Sequence, residues 1–141
     1  MDPRSLKVAE MFANLKDTAR ADAILNDLYD PACVFMDPIQ KAEGLEAIRA
    51  MNRRLATKMG PVTVKLLGDA LEDRTLVIRW VMTFKAPFMR KSGNLEGVSW
   101  MEFNAAGKCT RHTDYWDMGG LLDEVIPIAK PLHDVVRKLA G

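Results

Sequence analysis

Residues 95–116 have the sequence LEGVSWMEFNAAGKCTRHTDYW, in which apolar and polar side chains alternate on either side of a short polar break. Alternation with a period of two is typical of β-strands that bury one face. The break at residues 104–107 is rich in the residue types that form tight turns. We therefore predict two antiparallel strands, 95–103 and 108–116, joined by a hairpin.

The same period extends backwards along the chain from this hairpin. Residues 62–66 and 76–84 alternate in the same way, and polar residues 72–74 and 90–94 separate the successive runs. Breaks of this length join neighbouring antiparallel strands without a crossover. The second half of the chain therefore predicts a meander of four strands.

Upstream of Pro61 the apolar residues recur at helical spacing instead. Residues 5–15 and 19–28 predict two amphipathic helices, with Ser5 as the cap of the first. A third helix is predicted between Gly44 and Gly60, where apolar residues again recur at helical spacing. Glu46 lies near its start, and Arg53, Arg54 and Lys58 lie nearer its end, which suits the helix dipole.

A short strand is predicted between the second and third helices. Residues 32–36 are apolar, and Asp37 and Pro38 follow them. Proline has no amide hydrogen to donate to a strand ladder, so we expect the strand to stop there.

The C-terminal stretch, residues 121–139, is apolar at helical spacing and is interrupted by Pro127 and Pro131, which predicts two helical pieces. The predicted order is helix, helix, strand, helix, four strands, helix. Without a linker or repeat, residues 1–141 predict one α+β domain whose helices lie on one side of a curved, largely antiparallel sheet.

Composition excludes several classes of function. The chain has 141 residues, 48% of them hydrophobic and 28% charged, with a net charge of +1. This balance is that of an ordinary globular protein, and it gives no electrostatic footprint for nucleic acid or anionic lipid. The basic group Arg53, Arg54 and Lys58 fits the solvated face of a helix, so we expect neither nucleic acid nor membrane as a partner.

Targeting and metal signals are also missing from the sequence. The N-terminal residues contain no long uncharged apolar run, which predicts a cytoplasmic location without a signal peptide. Cys33 and Cys109 lie in apolar stretches and are expected to be buried in strands, where a disulfide is possible but not required. With only His112 and His133 besides them, a zinc site lacks ligands, so we expect no metal and no cofactor.

Three runs of residues resemble the nuclear transport factor 2-like superfamily, which includes SnoaL-like polyketide cyclases, ketosteroid isomerases and limonene-epoxide-hydrolase-like proteins. YDPACVFMDP at 29–38, followed by GLEAI at 44–48, is similar to a strand and loop of the isomerases and SnoaL-like proteins. Residues 101–108 resemble the family's hairpin, and HTDYWD at 112–117 resembles a late strand of the epoxide hydrolases. The resemblance implies a cystatin-like, cone-shaped sheet with three N-terminal helices packed on it, a C-terminal helical segment and a pocket inside the cone.

The resemblance also implies two catalytic acids. Asp37 matches the aspartate that serves the isomerases as base, and Asp114 matches the aspartate used for acid catalysis by epoxide-hydrolase-like members. From the residue type alone, Asp37 is better explained as the start of a turn, and the resemblance brings the two interpretations level. Asp114 is equally well explained as a buried carboxylate that His112, Arg79 or a backbone amide satisfies. Both pairs of interpretations stay open at this point.

We expect the pocket to be lined by residues that the resemblance and strand alternation turn inward, namely Phe35, Arg79, Ser99, His112 and Trp116. Arg79 lies in an otherwise apolar strand and is expected to have a carboxylate partner. The opposite face of the sheet, with Trp80, Trp100 and Tyr115, is expected to form a homodimer interface, because an aromatic sheet face seldom remains exposed to solvent.

The likeness does not extend to a complete set of catalytic groups. At the positions of the isomerase's oxyanion-hole tyrosine and aspartate stand Ala13 and Ser99, and the epoxide hydrolase pattern is incomplete at Phe35, Asp37 and Thr83. We therefore expect a protein that binds a small, hydrophobic, ring-containing metabolite and performs cofactor-free acid-base chemistry of the isomerase, cyclase, hydrolase or dehydratase type. The alternative is a non-enzymatic ligand-binding or protein-interaction module of the same fold.

Overall fold

The structure, a computed structural model, describes residues 1–125 and 129–141. Within these residues the elements are, in chain order, α1 (Pro3–Ala13), α2 (Thr18–Leu28), β1 (Tyr29–Met36), β2 (Lys41–Glu43), α3 (Leu45–Lys58), β3 (Val62–Glu72), β4 (Thr75–Phe84), β5 (Gly93–Phe103), β6 (Cys109–Trp116), α4 (Met118–Val125) and α5 (Ala129–Ala140).

The described strands form one curved, unclosed sheet in the order β2-β1-β6-β5-β4-β3. The meander β3 to β6 is antiparallel throughout, β1 pairs with β6 in parallel, and β2 pairs with β1 in antiparallel orientation. The predicted α+β class with a mostly antiparallel sheet is therefore confirmed. The sequence pattern missed β2, because three residues are too few for an alternation to be recognised.

Helix α1 begins earlier than its predicted cap. The Asp2 carboxylate accepts a hydrogen bond from the Arg4 backbone amide, so Asp2 is the N-cap and Pro3 occupies the first turn. Ser5 lies within the first turns of α1, is fully buried, and donates a hydrogen bond of 2.7 Å to Asp69 of β3. The prediction that Ser5 caps the helix is therefore wrong, and its hydroxyl instead ties α1 to the sheet.

The core lies between the three N-terminal helices and the concave face of the sheet. Helix α3 contributes Ile48 and Met51, and its basic residues Arg53, Arg54 and Lys58 lie on the exposed side, as predicted. Burying an aliphatic side chain of this size contributes about 1.5–3 kcal/mol, so this layer supplies much of the driving force. Fully buried side chains at its centre include Leu25, Ile48, Met51, Leu76, Ile78 and Met101.

Strand β1 contains Pro31, yet the strand continues through it. The pairing of β1 with β6 shifts register between Tyr29 and Val34, and Pro31 lies within that shift. Its missing amide hydrogen is therefore placed where the ladder is already interrupted.

The two cysteines meet across the same pair of strands. Both are buried and free, and their sulfur atoms are 4.0 Å apart. The hydrogen bond shared with Cys33, together with burial, raises the pKa of the Cys109 thiol well above its ordinary range. Both side chains therefore behave as small apolar core residues.

The C-terminal stretch forms two helices, α4 and α5, as predicted. Pro131 lies in the first turn of α5, where its missing amide hydrogen has no intrahelical partner to lose, so it does not interrupt the helix. Pro127 lies outside the described residues. Of the helices in the described ranges, none has both the length and the apolar character needed to span a membrane.

Candidate functional site

An apolar cavity of about 270 Å³ opens between the helices and the concave face of the sheet. Ile39 and Phe88 line it and are strongly exposed, which places them at its opening. Polar groups enter the lining from four residues, Asp37, Gln40, Lys58 and Asp114. The apolar wall includes Phe12, Leu15, Phe35, Leu55, Met59, Trp80, Met82, Phe84, Leu95, Trp116 and Leu121.

Asp114 is the carboxylate at the buried side of this cavity, with 9% of its surface exposed. Its Oδ1 atom accepts hydrogen bonds from the Ser99 hydroxyl at 2.5 Å and from His112 Nε2 at 2.8 Å. The Trp80 indole N–H donates to Ser99 Oγ at 3.0 Å, and the Tyr29 hydroxyl lies 2.7 Å from His112 Nδ1. These five side chains form one continuous hydrogen-bonded chain.

Burial determines the state of the tyrosine in this chain. Tyr29 is 2% exposed, and desolvation raises its pKa well above the ordinary value of about 10. Repulsion from Cys109 and Cys33, when these thiols are ionised, and from the Asp114 carboxylate acts in the same direction. The Tyr29 hydroxyl therefore keeps its proton at neutral pH.

Gly97 allows Trp80 to reach Ser99. Gly97 lies opposite Trp80 in the pairing of β4 with β5, and opposite Trp116 in the pairing of β5 with β6. A β-carbon built on Gly97 would lie 2.4 Å from the Trp80 ring, which no side chain can tolerate. The glycine thus leaves the space that the indole occupies.

Phe35, Asp37, Asp114 and Trp116 line the cavity, so the last alternate positions of β6, Asp114 and Trp116, point inward. Ser99 and His112 are buried behind Asp114 and do not line this cavity. Ser99 lines a second, smaller cavity of about 20 Å³ together with Asp114, and it stays a predicted pocket residue. His112 has no exposed surface, so it does not line the pocket as expected. Both side chains are hydrogen-bonded to Asp114 Oδ1.

Asp37 has a structural task besides its place in the lining. Its Oδ1 atom accepts hydrogen bonds from the backbone amides of Ile39 and Gln40, at 2.9 and 3.0 Å. Its Oδ2 atom accepts a hydrogen bond of 3.1 Å from the Gln40 side chain. These contacts are those of an aspartate that starts a turn, the second of the two interpretations open at the sequence level.

Arg79 is not a pocket residue. Its side chain is 62% exposed on the outer face of the sheet, where the guanidinium pairs with Glu96 of β5. The carboxylate partner expected for Arg79 is present, but on the surface. The expectation that Arg79 lines the cavity is wrong because the inward positions of β4 are Ile78 and Trp80.

The outer face also differs from prediction at one aromatic residue. Trp80 faces the cavity, whereas Trp100 and Tyr115 lie on the outer face, 44% and 60% exposed. The same alternation that turns Arg79 outward turns Trp80 inward.

Tyr29 is the member of the hydrogen-bonded chain that sequence reasoning missed. It comes directly after α2 and joins the site because β1 pairs in parallel with β6, which lies last in the meander. Alternation within a strand carries no information on such a pairing. Among the described residues, no three His, Cys, Asp or Glu side chains are grouped as metal ligands would be.

The cone with its apolar cavity defines the class of protein. Solved structures with this fold include a protein with a ketosteroid isomerase-like fold from Catenulispora acidiphila in complex with trimethylamine (12% identity, TM-score 0.78, 89% of this chain and 93% of that chain covered). An NTF2-like protein from Burkholderia pseudomallei (14%, 0.73, 89% and 99%) and an LEH-like epoxide hydrolase from M. tuberculosis (16%, 0.64, 91% and 96%) share it as well. At these identities the likeness shows the fold alone, that of the nuclear transport factor 2-like superfamily.

Residues 8–112 match the sequence profile of the SnoaL-like domain, so the chain belongs to the SnoaL-like family. No curated protein matches the chain. Members of this wider group are cyclases, isomerases or epoxide hydrolases.

Proposed function

We propose that the protein binds a small hydrophobic molecule in the cavity and that Asp114 transfers a proton to or from it without a cofactor. The observation that carries this proposal is the asymmetry of the Asp114 carboxylate. Oδ1 accepts two hydrogen bonds, whereas Oδ2 has no partner among the hydrogen bonds of the described residues. Oδ2 is thus the atom available to a ligand.

The charge around Asp114 supports a role as base. Within the described ranges, no lysine or arginine forms a hydrogen bond or ion pair with Asp114, Ser99 or His112. Asp114 Oδ2 is therefore an acceptor without a cationic partner, which can take a proton from a C–H bond of a bound molecule. The same group can then return the proton to another atom of the bound molecule, which is the chemistry of an isomerase or a cyclase.

The cavity lining favours a particular shape of ligand. Aromatic and aliphatic side chains make up most of the wall, and they suit a hydrophobic ring. Lys58 also reaches the lining, and its ammonium supplies a hydrogen-bond donor for an oxygen atom of the ligand. A cyclic ketone with an acidic C–H bond beside its carbonyl combines both requirements.

Hydrogen exchange tests this proposal directly. Cyclohexanone and β-tetralone are incubated with the protein in D₂O, and loss of the α-C–H signals is followed by NMR. Quenching of the Trp80 and Trp116 fluorescence reports binding independently. We expect Asp114→Asn to bind the ketone but to lower the exchange rate by a factor of about 100 or more. Asp37→Asn, the matched carboxylate control, should stay within a few-fold of the wild type.

Two outcomes would contradict the proposal. Equal exchange rates for Asp114→Asn and the wild type would remove Asp114 from the chemistry. Ketones that bind to the cavity but are not exchanged would favour the alternative, a non-enzymatic ligand-binding or protein-interaction module.

We also propose a homodimer through the outer sheet face. Trp100 lies between Val77 and Thr113 in the strand pairing, and Val98 lies beside Tyr115. An apolar centre of this kind with a charged rim is typical of a protein interface; here the rim consists of the pairs Arg79–Glu96 and Glu102–Arg111.

Light scattering after size exclusion tests this assembly. Trp100→Glu should yield a monomer, whereas Leu6→Glu, at an exposed position on α1, should leave the mass unchanged. A monomeric wild type would overturn the assignment.

The proposed location is the cytoplasm. Cys33 and Cys109 are free thiols in this structure, and a reducing compartment keeps neighbouring thiols from forming a disulfide.

A further inference from the structure

Tyr29 and His112 lie behind Asp114 on the side away from the cavity. Both are at most 2% exposed and neither lines the cavity, so neither can contact a ligand. They nevertheless make a buried hydrogen bond with each other, and His112 makes another with Asp114. A buried polar pair of this kind is costly unless each donor meets an acceptor, so the positions of its protons can be deduced.

Tyr29 determines where the protons of this pair lie. The Tyr29 hydroxyl is protonated, and its one hydrogen-bond partner in the described residues is His112 Nδ1. The O–H group must therefore donate to Nδ1, which leaves Nδ1 without a proton of its own. The proton of the neutral imidazole is then on Nε2, where it donates to Asp114 Oδ1.

Ring packing holds this arrangement in place. The His112 ring stacks on Tyr29 with centroids 5.9 Å apart and 14° between the ring planes. The edges of Phe35 and Phe12 pack against it at centroid distances of 5.0 and 6.3 Å. These contacts, from α1 and from both ends of β1, hold the imidazole in one orientation.

We propose that Tyr29 and His112 are positioning residues that fix the neutral Nε2–H tautomer of His112 and thereby restrict proton transfer by Asp114 to its Oδ2 atom. With Nε2–H and the Ser99 hydroxyl both donating to Oδ1, this oxygen is saturated and the plane of the carboxylate is fixed. The catalytic part of this inference rests on the proposed function, whereas the tautomer does not. The ionisable groups nearest the pair are the Asp114 carboxylate and the thiols of Cys33 and Cys109.

The tautomer is measured on the wild-type protein, with no ligand and no substitution in the site. Long-range ¹H–¹⁵N correlation spectra at neutral pH distinguish a protonated ring nitrogen from an unprotonated one. The chain has two histidines, and His133→Gln assigns the signals. We expect a protonated Nε2 and an unprotonated Nδ1 for His112. A protonated Nδ1, whether in the other tautomer or in the imidazolium, would overturn the inference.

The second measurement separates positioning from mere packing. Tyr29→Phe removes one hydroxyl from a buried ring, and Tyr115→Phe removes the only other tyrosine hydroxyl, which is exposed. In the β-tetralone exchange assay we expect Tyr29→Phe to lower kcat about tenfold with KM unchanged, since Tyr29 orients Asp114 without touching the ketone. In the same variant, the ¹⁵N signals of His112 should shift toward a mixture of tautomers.

The outcomes distinguish this inference from the proposed function. Exchange by Tyr29→Phe at the rate of Tyr115→Phe, or tautomer signals unchanged by Tyr29→Phe, would show that Tyr29 does not position the site. Asp114→Asn that still exchanges β-tetralone would overturn the proposed function, while the protonation of His112 in the wild type would still be decided by its ¹⁵N signals.

Discussion

The Ser99 hydroxyl connects Trp80 to Asp114, because it accepts a hydrogen bond from the indole and donates one of 2.5 Å to the carboxylate. Ser99→Ala would leave the buried indole N–H of Trp80 without an acceptor and would remove one of the two hydrogen bonds that Asp114 Oδ1 accepts. We expect a loss of about 1–3 kcal/mol in the free energy of unfolding, measured by urea denaturation. Thr83→Ala, which breaks an exposed hydroxyl contact to Asn94 between β4 and β5, should cost less than about 1 kcal/mol. Equal losses would contradict this assignment.

Gly97 gives a second test of the same region. Gly97→Ala places a β-carbon within 2.4 Å of the Trp80 ring, and the indole must move away from Ser99. We expect destabilisation of about 1–3 kcal/mol and a change in the tryptophan fluorescence. Gly68→Ala in β3 is the control, because a β-carbon there meets no atom within 4 Å. A Gly97→Ala protein as stable as Gly68→Ala would show that the indole does not need this space.

Asp37 should contribute to stability, because it holds the loop between β1 and β2. Asp37→Ala removes three hydrogen bonds of the loop between β1 and β2, and we expect it to lower the free energy of unfolding by about 1–2 kcal/mol. Asp37→Asn keeps an acceptor oxygen for the backbone amides and should recover most of this loss. Thermal denaturation of the two variants compares them, and an equally large loss in both would instead indicate a need for the negative charge.

Alkaline pH should destabilise the protein through Tyr29. Its pKa is raised in the folded state by burial, so the folded protein holds this proton more tightly than the unfolded chain. The contribution of Tyr29 is complete below pH 10, and above it each pH unit should lower the free energy of unfolding by about 1.4 kcal/mol. Urea denaturation between pH 9 and 11 should show this slope in Tyr115→Phe. The slope should be smaller in Tyr29→Phe, and equal slopes would contradict the prediction.

Arg79 should contribute little to stability or to the exchange reaction. Its ion pair with Glu96 is exposed on the outer face, and exposed pairs contribute about 0–1 kcal/mol. We expect Arg79→Ala to change the free energy of unfolding by less than about 1 kcal/mol and to leave the exchange rate of β-tetralone unaltered. A large loss of exchange would restore Arg79 to the site.

The order of the helices and the meander could be predicted because each depends on the spacing of apolar residues within one segment. Alternation also correctly put Asp114 and Trp116 on one face of β6. It failed at Trp80 and Arg79, because the pattern within a strand does not say which face is inward when both faces carry large side chains. The role of Ser99 and His112 behind Asp114 required the distances between strands, which sequence spacing does not contain.

The parallel contact of β1 with β6 has a kinetic consequence. Tyr29 and His112 are 83 residues apart, so the intervening helix and meander must close into a loop before the two side chains can meet. Neighbouring strands of the meander can form first, since short turns join them. Asp114 is thus expected to gain its fixed orientation in the last steps of folding. Partially folded chains would contain much of the sheet but lack the proposed catalytic site.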